Sequence, residues 1–109
     1  MNGLRTFEMA SLYLCRPRAL PPEMQGDVVE LHSLTTPEDY RRMGHASQLM
    51  LSVCCEADLA RKFMFLCVEP DGVPKQVLLD FYLNFGFVPI QADPLLMVRP
   101  YVGVSNGIH

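Results

Sequence analysis

Hydrophobic positions divide the chain into stretches with either a helical or a strand-like period. Over residues 45–62 they recur at spacings of three and four, as in a helix packed on a sheet: Ala46, Leu49, Met50, Val53, Ala57 and Ala60. Residues 63–68 are apolar without interruption, as expected of a central strand covered on both faces. A helix followed by a buried strand predicts a βαβ unit.

Four further segments have the composition of strands. Residues 7–15 predict one strand, and residues 28–34 predict a second, on which Glu30 and His32 share a face. Residues 87–90 and 95–99 predict a pair joined by a hairpin connection, with Pro89 indicating a bulge or a sheet edge.

A second, shorter helix is predicted between residues 74 and 85. Pro74 suits the first helical turn, and an apolar stripe of Leu78, Phe81 and Phe85 ends at Gly86, a natural C′ residue. The order strand, strand, helix, strand, helix, strand, strand predicts an α/β (α+β) fold with a mixed sheet. We expect one domain over residues 1–109.

Composition narrows the classes of function. The chain has 109 residues, of which 50% are apolar and 19% charged, and no apolar run approaches the roughly 20 residues of a membrane span. A net charge of -3 without a basic stripe argues against nucleic-acid binding. The N-terminus does not resemble a secretion signal, so we expect a cytoplasmic protein without a membrane or nucleic-acid partner.

The four cysteines show no metal-binding spacing. Cys15, Cys54, Cys55 and Cys67 form no C-x-x-C pair and have no histidines at zinc-ligand spacing, so we expect no metal site. Cys54 and Cys55 fall within the apolar helix and Cys67 within the apolar strand, so we expect buried, reduced and inert thiols. In the same helix, Asp58 is placed to pair with Lys62.

Candidate chemistry begins where the second strand meets the first helix. A short basic turn containing Arg41, Arg42 and Gly44 opens directly into that helix. Backbone N–H groups at a helix N-terminus and the helix dipole attract anions, so the turn predicts a phosphate site. The alternative is that Gly44 only ends a turn and that both arginines are solvated.

Two motifs together resemble the GCN5-related N-acetyltransferase (GNAT) family. Residues 41–46, RRMGHA, match its Q/R-x-x-G-x-G/A pyrophosphate loop, and residues 81–87, FYLNFGF, match its F-Y-x-x-x-G-F segment. The resemblance implies a truncated acyl-CoA N-acyltransferase fold: a mixed, mostly antiparallel twisted sheet with a central parallel pair and two helices. The family's first strand and two early helices, which help to form its acceptor site, have no counterpart in this sequence.

The resemblance also implies that acetyl-CoA is the co-substrate, held by a core of residues 27–100. The pantetheine arm would lie along Leu34, Thr35 and Thr36, with the Leu34 amide at the thioester oxygen. The family usually has an asparagine at the start of the second helix, where this chain has Lys75, so CoA binding is either weakened or aided by a lysine–phosphate contact. The pyrophosphate would be held by the loop and the first helical turn, residues Arg41, Arg42, Met43, Gly44, His45, Ala46 and Ser47.

The same resemblance assigns catalytic roles. Tyr82 matches the family's general acid, which protonates the departing thiolate. Glu30, acting through water, is slightly preferred over His32 as the base. The alternatives are that Tyr82 is an aromatic packing residue and that Glu30 and His32 are ordinary residues of a sheet.

Three hypotheses for function follow. The first is an N-acetyltransferase that transfers the acetyl group to an unknown primary amine, of a small molecule or a protein, by direct attack. The second is a catalytically weak or inactive acyl-CoA-binding module on the same fold. The third is a small structural domain whose motif matches are accidental. A homodimer is a further expectation, because a truncated acceptor wall leaves apolar surface to cover.

Overall fold

A computed structural model describes residues 1–16, 27–35, 44–68 and 73–102. In these ranges the chain forms six strands and two helices. They are β1 Gly3–Phe7, β2 Ala10–Cys15, β3 Val28–Thr35, α1 His45–Ala60, β4 Phe63–Cys67, α2 Lys75–Leu83, β5 Val88–Ala92 and β6 Leu95–Arg99.

The six strands form one sheet in the order β1-β2-β3-β4-β6-β5. Only β3 and β4, at the centre, pair in parallel, and the other neighbours are antiparallel. This confirms the predicted mixed, mostly antiparallel sheet with a central parallel pair and two helices. Pro89 predicted a bulge or a sheet edge, and the structure has both: β5 lies at an edge of the sheet, and its register shifts between Pro89 and Gln91.

The prediction of one strand over residues 7–15 is wrong. The structure has a hairpin there, in which Phe7 of β1 pairs with Ala10 of β2. The connecting residue Glu8 has a φ of 52°, in the left-handed region. Glycine and asparagine are the usual signals for that conformation, so a turn at a glutamate was not predictable from its residue type.

The hydrophobic core lies on one face of the sheet, which we call the core face. β4 illustrates the alternation: Met64 and Leu66 are buried, whereas Phe65 is half-buried and Phe63 is 38% exposed. The prediction that this strand is covered on both faces is therefore wrong within the described residues. α1 covers the core face with Leu49, Met50, Val53, Cys54 and Ala57. The opposite face, which carries Phe63 and Phe65, is called the open face below.

Both helices end in a Schellman motif. In α2, Gly86 has a φ of 92°, Phe87 N donates to Tyr82 O and Gly86 N donates to Leu83 O, which confirms Gly86 as the C′ residue. α1 ends in the same way, with Lys62 N donating to Ala57 O, but its C′ residue is Arg61 with a φ of 56°.

The sequence offered Lys62 as a partner of Asp58, and the structure pairs Asp58 with Arg99. The Arg99 guanidinium donates two hydrogen bonds to the Asp58 carboxylate, of 2.8 and 3.1 Å, and one of 2.6 Å to the carbonyl of Phe85. Val102 N also donates to Asp58. These bonds to Arg99 hold the pKa of Asp58 below its usual value. β6 places Arg99 on the core face opposite Met64, a neighbour that helical spacing does not reveal.

The cysteines differ in burial. Cys54 is buried, and its burial raises the pKa of the thiol to about 11, as expected of an inert cysteine. Cys55 is exposed, so the prediction that it is buried is wrong, and Cys67 and Cys15 are half-buried. Neither described helix is long and apolar enough to cross a membrane.

Candidate functional site

β3 contains a bulge at the residues assigned to the thioester. Tyr13 pairs with His32 and Ser11 with Thr35, so β3 has one residue more than β2 over this interval. Ser33 has a φ of 58° there. The extra residue reverses the alternation of side chains, and Leu34 consequently packs against the core. The sequence contains a sign of this bulge. Strict alternation after Val29 and Leu31 would place the next apolar residue at position 33, whereas it is Leu34.

β3 and β4 stop pairing beside this bulge. Their pairs run from Val28 and Phe63 to Glu30 and Phe65, although both strands continue. β3 therefore presents backbone groups at Leu34 and Thr35 that are not paired with β4. An extended arm that carries amide groups could add to this edge as a strand does. Thr36, which shares this predicted role, lies outside the described residues.

The start of α1 fits an anion. Gly44 has a φ of 79°, and no atom of the described residues outside its chain neighbours lies within 4 Å of where a Cβ would be. Within the described residues no side chain caps this terminus, and the first turn holds no acidic residue. The N–H groups of this turn therefore have no side-chain acceptor among the described residues, and a phosphate could accept their hydrogen bonds at the positive end of the dipole. The other loop residues predicted to bind there, Arg41, Arg42 and Met43, lie outside the described ranges.

The first turn of α1 is also attached to the β1–β2 hairpin. Met9 N donates to His45 Nδ1 at 3.4 Å, and the rings of Phe7 and His45 meet edge to face at 6.1 Å. Ala46 and Ser47 are half-buried in the same turn. The His45 side chain thus fixes the helix N-terminus against the sheet.

Glu30 and His32 are brought together on the open face. His32 Nε2 lies 2.8 Å from Glu30 Oε2, and the two side chains are 48% and 16% exposed, respectively. The prediction that they point the same way is confirmed. When a neutral imidazole donates Nε2–H to a carboxylate, its Nδ1 is the acceptor nitrogen.

Cys15 completes a cluster that the sequence did not indicate. Antiparallel pairing places Cys15 opposite Glu30, and ligand atoms of Cys15, Glu30 and His32 all lie within 4.8 Å of one another. Cys15 lies fifteen positions from Glu30 in the chain, so spacing could not reveal the cluster. The register of β2 against β3 creates it.

Tyr82 lies on the other side of the sheet, among the core residues. It is 7% exposed, and its ring meets those of Phe81 and Phe87 edge to face at 5.3 and 5.5 Å. Burial raises the pKa of its phenol to about 12. The structure thus brings Glu30 and His32 together on one face and keeps Tyr82 on the other. The ends of β3 and β4, which do not pair with each other, lie between the two faces.

Lys75, the residue at the family's asparagine position, begins α2. Its Nζ donates to Ala92 O at 2.9 Å, which ties α2 to the edge strand β5. It borders an open groove of about 690 Å³ lined by Lys75, Gln76, Leu79, Pro89, Ile90, Gln91, Ala92 and Leu95. β4 and β6 separate β5 from β3 in the sheet, so this groove is distinct from the site at the bulge.

No protein-family model and no curated protein matches the sequence. Solved structures do match its fold. A GNAT-family acetyltransferase from Staphylococcus aureus Mu50 superposes with a TM-score of 0.65 at 14% identity, over 86% of this chain and 60% of that one. The GNAT N-acetyltransferase YhbS from Escherichia coli, solved in complex with CoA, gives 0.62 at 14% identity, over 84% and 51%.

A third similar structure is shorter. The anti-CRISPR protein AcrVA5 superposes with a TM-score of 0.65 at 20% identity, over 88% of this chain and 97% of its own. The chain thus has the acyl-CoA N-acyltransferase fold of GNAT proteins, which confirms the fold predicted from the two motifs. It spans about 60% of the length of the first acetyltransferase described above and about half that of the CoA complex.

Proposed function

We propose that this chain binds acetyl-CoA across the β3 bulge and the start of α1, and transfers its acetyl group to a primary amine by direct attack. The observation that carries the proposal is the combination of three features: a helix N-terminus that begins at a glycine, a bulged strand that β4 does not pair with at the bulge, and the Glu30–His32 pair on the same strand. A GNAT fold with CoA bound in one similar structure supports the choice of ligand.

Two segments of the chain would hold acetyl-CoA. The pyrophosphate would bind the N–H groups around Gly44 and of the first turn, His45, Ala46 and Ser47, together with Arg41, Arg42 and Met43. The pantetheine arm would extend along Leu34, Thr35 and Thr36. When bound, the co-substrate supplies an activated acetyl thioester.

A donor at the bulge would stabilise the charge that develops on the thioester oxygen during attack. The Leu34 amide is the candidate, because it follows the αL residue Ser33 at the edge that β4 leaves unpaired. A prealigned backbone donor in such a position contributes on the order of 3 kcal/mol to transition-state stabilisation.

The attacking amine must first lose a proton. A lysine-like amine with a pKa near 10.4 is neutral in about one molecule in 2,500 at pH 7, which costs roughly 4.6 kcal/mol. His32 Nδ1 would accept this proton, and Glu30, which holds Nε2–H, would orient the ring and stabilise its positive charge. This arrangement favours His32 as the base, whereas the family resemblance slightly favoured Glu30.

Tyr82 would donate a hydrogen bond to the departing thiolate. Its pKa of about 12 is roughly 3.5 units above that of a simple thiol, so complete proton transfer would be uphill by about 5 kcal/mol. Hydrogen-bond donation without complete transfer is therefore the role that its chemistry supports.

The burial of Tyr82 also supports a second candidate function. A weak acid enclosed by Phe81 and Phe87 suits an acyl-CoA-binding module that has little or no catalytic activity. The two candidates differ in turnover and share the acetyl-CoA site. The homodimer remains a prediction of the sequence.

The test follows release of free CoA thiol across a panel of small amines and peptide N-termini. We expect acetyl-CoA to raise the melting temperature and at least one amine to yield thiol, with kcat reduced about 100-fold by Tyr82→Phe. Tyr101→Phe, which alters a half-buried ring packed on Phe63, is the matched control and should leave kcat unchanged.

Two results would contradict the proposal in different ways. A thermal shift without turnover on any amine would favour the non-catalytic module. No thermal shift at saturating acetyl-CoA would remove both CoA-dependent functions and leave the structural domain.

A further inference from the structure

The cluster of Cys15, Glu30 and His32 brings three different metal-ligand types together on the open face. The Cys15 Sγ, a Glu30 carboxylate oxygen and a His32 ring nitrogen lie within 4.8 Å of one another. Two adjacent strands fix their Cα positions, because Cys15 pairs with Glu30 and His32 is two residues further along β3. The backbone of the cluster is therefore preformed by the sheet.

We propose that these three side chains form a binding site for Zn²⁺, with the fourth coordination position open to solvent. Zn–ligand bonds of about 2.0–2.3 Å in a tetrahedron place ligand atoms roughly 3.3–3.6 Å apart. The 2.8 Å His32–Glu30 contact has to lengthen slightly and the longer separations have to contract. Rotation of the side chains about their χ bonds supplies both changes.

The donor set selects the metal. A thiolate with an imidazole and a carboxylate suits Zn²⁺, whereas Mg²⁺ and Ca²⁺ require oxygen ligands. Charge agrees with this choice, because one thiolate and one carboxylate neutralise a divalent ion when the imidazole is neutral. Binding releases the proton of the Cys15 thiol and that of any protonated His32 to solvent.

Zinc would also regulate the proposed acetyl transfer, and this part of the inference rests on the proposed function. The metal would bind the Glu30 carboxylate and His32 Nε2. The ring proton would then lie on Nδ1, so the nitrogen proposed to receive the amine proton could no longer accept it. Bound Zn²⁺ would therefore inhibit the reaction, and a chelator would restore it.

The binding test does not depend on activity. The protein, stripped with a chelator and kept reduced, is titrated with Co²⁺ as a spectroscopic substitute for Zn²⁺. We expect one equivalent of Co²⁺ to produce a near-ultraviolet thiolate-to-cobalt charge-transfer band, and Zn²⁺ to displace the Co²⁺ and abolish the band. Cys15→Ser should abolish the band and weaken Zn²⁺ binding about tenfold or more.

Cys55→Ser is the matched control, since Cys55 is an exposed cysteine on α1 outside the cluster. It should retain both the band and the affinity. A band that survives Cys15→Ser, or one that is lost in Cys55→Ser, would overturn the site. Circular dichroism of both variants checks that the fold is intact, and His32→Ala provides a second ligand removal with the same expected loss of affinity.

Thiol-release assays with and without Zn²⁺ test the inhibition by zinc. For each protein, the ratio of the rate with Zn²⁺ to the rate without it is the quantity compared. We expect Zn²⁺ to inhibit the wild type and Cys55→Ser, and inhibition to be lost in Cys15→Ser. Cobalt binding without acetyl transfer would contradict the proposed function alone. Acetyl transfer without cobalt binding would contradict the metal site alone.

Discussion

At the residue scale, Gly44 allows a direct test of the anion site. Its φ of 79° and the open space at its Cβ position suit close approach of a phosphate. We expect Gly44→Ala to weaken acetyl-CoA binding about tenfold or more, because the added methyl group occupies that space and strains the turn. Isothermal titration calorimetry well below the melting temperature measures the change.

Gly3 provides the control for this substitution. It also has a positive φ, of 107°, and open space around its Cβ position, but it lies at the start of the edge strand β1. Gly3→Ala should therefore cause similar backbone strain and leave the dissociation constant for acetyl-CoA unchanged. Equal affinities in the two variants would contradict a phosphate site at Gly44.

The Glu30–His32 pair makes a second prediction at this scale. His32→Ala should lower kcat/KM by about 100-fold or more, since it removes the proposed proton acceptor. Glu30→Gln keeps an oxygen that can accept Nε2–H and loses only the negative charge, so we expect a smaller loss, about tenfold. Steady-state kinetics on the best amine measure both, and a larger loss in Glu30→Gln would assign the base to Glu30.

At the scale of elements, the C-termini of α1 and α2 allow a matched test, because both form a Schellman motif but only that of α2 has glycine at C′. Arg61 is an exposed residue held at a φ of 56°, where a side chain is strained and glycine is not. Compared with Arg61→Ala, which loses the same charge, Arg61→Gly should raise the free energy of unfolding by about 1 kcal/mol. Urea denaturation measures the difference.

At the end of α2, where the C′ residue is already glycine, we expect substitution to lower stability. Gly86 has a φ of 92°, and an added Cβ would lie 3.5 Å from Arg99 Nε. Gly86→Ala should lower the free energy of unfolding by about 1 kcal/mol or more. An increase in stability there would contradict the Schellman geometry.

At the scale of the whole molecule, the Asp58–Arg99 pair joins α1, the end of α2, β6 and the chain after it. Arg99 is 8% and Asp58 22% exposed at the side chain, and no surface pair makes comparable connections among the described residues. Asp58→Asn leaves a buried guanidinium without its counter-charge, so we expect a loss of about 3 kcal/mol in unfolding free energy.

The surface pair of Arg5 and Glu56 is the matched control. It is also bidentate and also joins the sheet to α1, but its side chains are 30% and 38% exposed. Glu56→Gln should cost at most about 1 kcal/mol, because solvent screens the exposed pair. Comparable losses in Asp58→Asn and Glu56→Gln would contradict the role of burial.

The buried pair of Asp58 and Arg99 also predicts how stability depends on pH. Because the pKa of Asp58 is lowered in the folded state, its contribution to stability is complete above its unfolded pKa, near 3.9, and is lost as the pH falls from there through the folded pKa. Wild-type stability should therefore decrease more steeply below about pH 4 than that of Asp58→Asn. Parallel curves for the two proteins would contradict the linkage.

Local patterns in the sequence determined both helices, the central parallel pair and the turn at Gly86. The helices and strands follow from the spacing of apolar residues, and the turn follows from the conformational freedom of a single glycine. Each of these features is therefore specified by residues that are close together in the sequence. The motifs at residues 41–46 and 81–87 likewise indicated the fold, since each is a contiguous segment. Thr36, Arg41, Arg42 and Met43 of the predicted site lie outside the described residues, and their roles stay predictions.

Only the tertiary structure decided how distant segments meet. The hairpin at Glu8 uses a left-handed conformation at a residue that does not signal it. The register of β2 against β3 sets Cys15 beside Glu30, and the pairing of β4 with β6 carries Arg99 to the core face near Asp58. Such contacts arise from strand pairing and packing across the whole chain, so spacing along the sequence cannot specify them.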